Sequence, residues 1–253
     1  FDLVMPSIPG FVFSSAPKYP HGPRKIATYY DKLMTGILNY ERYYAQGGDW
    51  GGAISTWLGY DHYKNCKGIH LNIMIVRDKN GPQDEAEKAW QKRFKDEQSL
   101  EEGYRTMQAT KPQTLAFAMT DNPVGVSAWI LEKFYGWSDL RKKSLIEVYG
   151  YDDLITNLML YILTNSFNTA SWIYFGRREE GGRIINFDGG KVNVPTACAL
   201  YPKELLSWPP KSYVDRLFNV VQWNEYPSGG HFAALEEPNT LVKDIRSFFK
   251  KLK

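Results

Sequence analysis

Residues 43–58 read Tyr43-Tyr44-Ala45-Gln46-Gly47-Gly48-Asp49-Trp50-Gly51-Gly52-Ala53-Ile54-Ser55-Thr56-Trp57-Leu58. Tyr43 to Gln46 reads as a short buried strand. Gly52 to Leu58 reads as a helix with a small-residue first turn. Gly47-Gly48-Asp49-Trp50-Gly51 is then a sharp turn, with glycines two residues before and two after Asp49. Such a turn strains the backbone of its central residue, and larger neighbours would drive Cβ atoms into the strand or the helix. The side chain at the tip is pushed outward, and here it is a carboxylate. An Asx-type turn, with Asp49 capping the following helix, accounts for the same five residues.

The chain has 253 residues with 43% apolar and 15% aromatic content, enough for one large domain or a domain with an insertion. A net charge of +3, with lysine and arginine interspersed among acids, provides no basic stripe for nucleic acid. Cys66 and Cys198 lie far apart without metal-ligand spacing and read as buried thiols. No apolar run approaches the roughly 20 residues that span a bilayer, and no signal peptide is visible.

Taken in order, Phe1–Met5 reads as a strand that opens the chain without an initiator Met, which suggests that upstream residues are lost or omitted. Apolar positions from Ile26 to Leu38 recur with a helical period, so Lys25–Tyr40 reads as an amphipathic helix. Gly68–Val76 is rich in strand formers and stops at Arg77-Asp78-Lys79-Asn80-Gly81-Pro82. The order βαβαβ implies a parallel sheet. Between Arg77 and Arg183 only helices are read: Asp84–Gln98 with a stripe at Ala86, Trp90 and Phe94, then Thr114–Met119, Val124–Phe134 and Leu154–Thr164. Strands return at Val192–Leu200 and Asn219–Trp223, and Thr240–Leu252 closes as an amphipathic helix. The expected organisation is an α/β core at 1–76 and 191–253 interrupted by a helical lid at 77–190; a separate helical domain is the alternative.

Strand, turn and helix with a reactive side chain at the tip is the nucleophile elbow of the α/β-hydrolases, whose chain order is nucleophile, acid, histidine. His231 follows a strand directly on the glycine-rich Pro227-Ser228-Gly229-Gly230-His231, whereas His70 sits inside a strand and reads as a satisfied core residue. Glu204 follows the Val192–Leu200 strand; Asp188 and Asp215 compete for its role, and a solvated helix-start carboxylate also explains Glu204. A carboxylate nucleophile fixes the chemistry. Asp49 would displace a leaving group from an sp³ carbon, and His231, oriented by Glu204, would activate water against the resulting ester. The N–H of Trp50 would face the oxyanion. A strained epoxide or an alkyl halide qualifies as substrate.

Four motifs carry a resemblance: the Gly47–Gly51 elbow, Gln108-Ala109-Thr110-Lys111-Pro112-Gln113-Thr114, Ile130-Leu131-Glu132-Lys133-Phe134, and Gly229-Gly230-His231-Phe232-Ala233-Ala234-Leu235-Glu236-Glu237-Pro238. Together, in this order, the chain resembles the microsomal epoxide hydrolase family, which includes the insect juvenile hormone epoxide hydrolases. The resemblance runs over essentially the whole chain. It implies an α/β-hydrolase fold with a mostly parallel sheet and an inserted helical lid, and conversion of epoxides to vicinal diols, as in detoxification of xenobiotics or turnover of juvenile hormone. It implies Asp49 as nucleophile, His231 as base and Glu204 as its acid partner, with no cofactor or metal. Only through the resemblance are Tyr104 and Tyr174 singled out among 17 tyrosines, as the pair that protonates the epoxide oxygen.

Two departures stand out. The family's loop reads Pro-Gly-aromatic-Gly-aromatic-Ser, where this chain has Pro9-Gly10-Phe11-Val12-Phe13-Ser14, so a rearranged loop is expected. The family's His-Gly-x-Pro loop, its first strands and the N-terminal membrane anchor of the animal enzymes all lie upstream of the matching region. The chain thus reads as the C-terminal part of a longer enzyme, microsomal and attached to the endoplasmic reticulum, with a lipophilic epoxide as partner. The alternatives are a haloalkane dehalogenase, which shares an Asp-Trp-Gly elbow and needs no tyrosine pair, and a non-catalytic lipophile-binding protein.

Overall fold

The computed structural model describes residues 1–181 and 185–252. The Arg183 limit of the helical block therefore lies outside the described residues. In order, the elements are α1 (Pro23–Lys32, running on as a π-helical turn over Leu33–Ile37), β1 (Tyr43–Gly47), α2 (Asp49–Asp61), β2 (Cys66–Leu71) and α3 (Glu85–Leu100). There follow α4 (Glu102–Thr110), α5 (Pro112–Met119), α6 (Pro123–Trp137), α7 (Leu145–Leu163) and α8 (Phe167–Glu179). The chain ends with β3 (Val192–Leu200), α9 (Lys211–Leu217), β4 (Phe218–Glu225), α10 (Ala233–Glu236) and α11 (Pro238–Lys250).

The strands form one sheet in the order β1-β2-β3-β4, and every neighbouring pair is parallel. Side chains alternate across a strand, so β3 serves both faces. Val192 and Val194, with Ile69 of β2, receive Gly59 of α2, where an added Cβ would lie 3.0–3.2 Å from their methyl groups. Ala197 takes Phe248 and Phe249 of α11, and Ala199 packs in one cluster with Leu241. Each buried phenylalanine contributes about 1.5–3 kcal/mol through apolar burial. Helix α2 is buried over Gly52–Gly59, which explains its nearly uncharged sequence.

The chain divides into two compact units. One holds the sheet: Pro23–Glu101, Trp137–Lys142 and Ile184–Lys253. The other is helical: Phe1–Gly22, Glu102–Gly136 and Lys143–Arg183. Within it, α8 packs against α4 and α5. Helix α7 starts on a capping box, with Ser144 and Glu147 bonding each other's backbone amides, and kinks at Gly150, φ +70°. No helix among the described residues is long and apolar enough to cross a membrane.

Several readings of the sequence need correction. Phe1–Met5 is not a strand; Phe1, Leu3 and Met5 are 64–80% exposed, and among the described residues no strand pairs with this segment. The order through Val76 is therefore αβαβ. The strand read over Gly68–Val76 is Cys66–Leu71, with Val76 returning only as an isolated parallel bridge to Ile185. The α3 stripe holds at Trp90 and Phe94, but Ala86 is exposed and Glu87 is fully buried. Arg216 explains this, donating from Nη1 and Nη2 to the two Glu87 carboxylate oxygens at 2.7 and 2.9 Å. Those bonds outweigh burial and hold the Glu87 carboxyl at about 2. Helices α4, α8 and α9 have no counterpart in the sequence reading. His70 and the two thiols are buried as expected; His70 Nε2 lies 2.8 Å from Asp244 Oδ2.

The Pro9–Ser14 loop keeps the backbone a glycine would adopt, although it carries Val12 at φ +46°. Phe11 N donates to Ile8 O at 2.8 Å, Ser14 N to Phe11 O at 2.9 Å, and Thr169 Oγ1 to Gly10 O. These bonds hold a β-branched residue where the left-handed region costs about 1–2 kcal/mol. The entropy that glycine brings to the unfolded chain offsets about 0.5–1 kcal/mol of that. Val12→Gly is therefore expected to raise the unfolding free energy by about 0.5–1 kcal/mol. A urea titration measures it, and an unchanged or lowered midpoint would show that the loop stores no strain.

Candidate active site

The site grows from the end of β1. Asp49 has φ +44°, the left-handed conformation expected at the tip of the elbow. A Cβ on Gly47 would lie 2.1 Å from the carbonyl carbon and oxygen of Gly51, one on Gly48 2.5 Å from Asn72 Nδ2, and one on Gly52 2.5 Å from a methyl of Ile73. Gly51 differs, since its Cβ would meet nothing within 4 Å. The first turn of α2 is capped by Gly48 without a side-chain bond, so Asp49 is no Asx cap. Asp49 lies in that first turn, at the positive end of the helix dipole.

The carboxyl ends of β1, β3 and β4 bring the three expected residues together, where parallel α/β sheets place their ligands. His231 Nε2 is 3.0 Å from Asp49 Oδ2, and Nδ1 is 2.7 Å from Glu204 Oε1. The side chains of His231 and Glu204 are 3% and 1% exposed, against 49% for Asp49. His231 and Glu204 are thus dry, and of the three only Asp49 is open. Burial by itself lowers the His231 pKa. The Glu204 charge and the hydrogen bonds that both carboxylates accept outweigh it and hold the imidazole well above its ordinary value. The competing acids are engaged elsewhere, Asp188 by Arg24 at 2.9 Å and Asp215 by Lys211 at 2.8 Å.

Two neighbours escaped the sequence reading. Asn72, which accepts from Gln46 Nε2 at 3.0 Å, walls the elbow beside Gly48. Trp137 sets its ring edge-on to the His231 imidazole, centroids 5.1 Å apart. Neither stands in a recognisable motif. In the helical unit, α4 and α8 bring Tyr104 and Tyr174 together, ring centroids 5.9 Å apart and T-shaped, and Lys133 Nζ lies 4.4 Å from the Tyr104 ring centroid.

A family model described as the alpha/beta hydrolase fold matches residues 1–119. The chain is 34% identical to juvenile hormone epoxide hydrolase 1 of Ctenocephalides felis over 275 residues, covering 100% of this chain and 59% of that protein. It is 33% identical to epoxide hydrolase 1 of Sus scrofa over 271 residues, covering 98% of this chain and 60% of that one. Among solved structures, the juvenile hormone epoxide hydrolase of the silkworm Bombyx mori superposes with a TM-score of 0.84 at 29% identity, covering 97% of this chain and 63% of that one. The chain thus spans under two thirds of the length of these relatives. Elbow, strand order, and relatives that align along nearly all of its length agree: the chain has the α/β-hydrolase fold and is similar throughout to epoxide hydrolases, the juvenile hormone enzymes among them.

Proposed function

We propose that the protein hydrolyses a lipophilic epoxide to a vicinal diol through an ester on Asp49. The observation that carries this reading is a carboxylate, not a hydroxyl, at an elbow of φ +44°, with His231 Nε2 3.0 Å away. An Asp49 oxygen attacks an epoxide carbon, the carbon–oxygen bond opens, and the departing oxygen takes the phenolic proton of Tyr104 or Tyr174. Water then adds to the ester carbonyl as His231 Nε2 takes its proton, with Glu204 holding Nδ1–H and the Trp50 amide facing the oxyanion. The bond to the diol oxygen breaks, and that oxygen takes the proton from His231. The new carboxylic acid loses its proton, which restores the phenol through solvent.

Tyr104 and Tyr174, both of the helical unit, would supply the two phenols. The juvenile hormone enzymes among the relatives favour a lipophilic substrate, and a location at the endoplasmic reticulum membrane belongs to the same proposal. Proximity of Tyr104 to Tyr174 favours an epoxide over an alkyl halide, since halide leaves without a proton. Single-turnover ester formation in Tyr104→Phe, Tyr174→Phe and the double variant tests this. Each single change is expected to slow it by about 10²-fold, as for loss of one oxyanion donor, and the double change to nearly stop it. A double variant that opens epoxides at the parent rate would make both tyrosines packing residues.

A further inference from the structure

The loop that carries His231 is held along its backbone by a strap, Trp137–Arg141, and by Glu236. Gly229 N donates to Asp139 Oδ2 at 3.0 Å, His231 N to Trp137 O at 2.9 Å, and Phe232 N to Glu236 Oε1 at 2.9 Å. Glu236 Oε2 in turn accepts from Asp139 N at 2.7 Å, locking strap to loop. Arg141 fixes the Asp139 carboxylate from two sides, Nε to Oδ1 at 2.7 Å and Nη2 to Oδ2 at 2.6 Å, and also donates to Pro227 O at 2.9 Å. The fit leaves no slack: a Cβ on Gly230 would sit 2.5 Å from Trp137 O and 3.1 Å from Asp139 N. On its other side the loop is tied to the Glu204 turn, Lys203 N donating to Gly229 O at 3.1 Å. The strap is covalently part of the helical insertion, yet it belongs to the sheet unit while Glu102–Gly136 and Lys143–Arg183 on either side do not.

We propose that Asp139, with Arg141 and Glu236, positions the histidine: it sets where His231 Nε2 stands over Asp49, and so the rate at which the ester is hydrolysed. The inference rests on His231 being the base that takes the proton of the attacking water. None of the three side chains touches Asp49 or His231 by its own polar atoms. Each acts through the loop backbone, where a displacement of about 1 Å costs on the order of 10²-fold in a proton-transfer step. Ester formation needs the Asp49 carboxylate and the phenols of Tyr104 and Tyr174, and the hydrogen bonds of the strap run to none of these.

The test is rapid-quench single turnover of an epoxide on the full chain, with both rate constants normalised to titrated active sites. Asp139→Asn keeps the size but loses the charge that Arg141 grips, and Arg141→Lys keeps the charge but loses the two-sided bond. Both are expected to slow ester hydrolysis by about 10- to 100-fold and to change ester formation by less than about twofold, so that ester accumulates. Asp139→Glu is expected to recover part of the loss. A strap that merely stabilises the fold would lower the number of active sites and leave both rate constants alone, and that outcome overturns the proposal. His231→Gln, run alongside, separates the two readings. If it fails to accumulate ester, the base assignment falls. If it accumulates ester while Asp139→Asn and Arg141→Lys hydrolyse at the parent rate, the positioning role alone falls.

Discussion

Asp49→Ala is expected to lose diol formation by at least about 10⁴-fold, the scale seen when a covalent nucleophile is removed. The loss should be chemical. The Asp49 side chain is 49% exposed and lies outside the core, so its removal leaves the packing of α2 on the sheet untouched. The φ of +44° makes alanine somewhat less comfortable than aspartate there, at a cost of about 1 kcal/mol in stability. Asp49→Glu sharpens the test. It keeps the charge but moves the carboxylate by one methylene against His231, and a near-attack geometry tolerates little of that. It is expected to lose at least about 10²-fold. Diol formation by Asp49→Ala within tenfold of the parent would put the reaction elsewhere.

The second large effect separates the two halves of the reaction. His231→Gln should still be alkylated but should release diol at least about 10³-fold more slowly, because only ester hydrolysis needs a base. The charge balance gives this a pH signature. In the resting site burial lowers the pKa of the ring, but the Glu204 and Asp49 carboxylates together raise it well above its ordinary value. Esterification removes the Asp49 charge, so the pKa falls and the ring becomes able to accept a proton at the moment water must be activated. Hydrolysis of the parent ester is therefore expected to rise with pH to a plateau, with an apparent pKa below that of the ring in the free enzyme. Equal loss of alkylation and hydrolysis in His231→Gln would assign the histidine another task.

How much of this was legible beforehand depends on how local the cause is. The elbow could be read from five residues because its tightest steric demand, Gly47 against the Gly51 backbone, lies within the same five. Glu204 and His231 followed from the order of strands. The Tyr104 and Tyr174 pairing came only with the family resemblance, for no periodicity separates them from other aromatic residues of a helical block. Ala86 was placed on the buried stripe where Glu87 stands because the arginine that makes burial of Glu87 tolerable lies 129 positions away. The strap was invisible for the same reason: Asp139 and Gly229 are 90 positions apart, and Gly-Trp-Ser-Asp carries no periodic signal. Phe1–Met5 erred the other way, since strand-forming residues make a strand only where a neighbouring strand pairs with them.

In the proposed reaction Asp49 acts as a nucleophile and not as a base for direct attack by water, and oxygen labelling decides between the two. In a single turnover run in H₂¹⁸O with enzyme in excess, water attacks the ester carbonyl. The expected result is a diol without ¹⁸O and one ¹⁸O in the Asp49 carboxylate, read by mass spectrometry of the peptide that contains it. A diol carrying ¹⁸O beside an unlabelled Asp49 would contradict the covalent route.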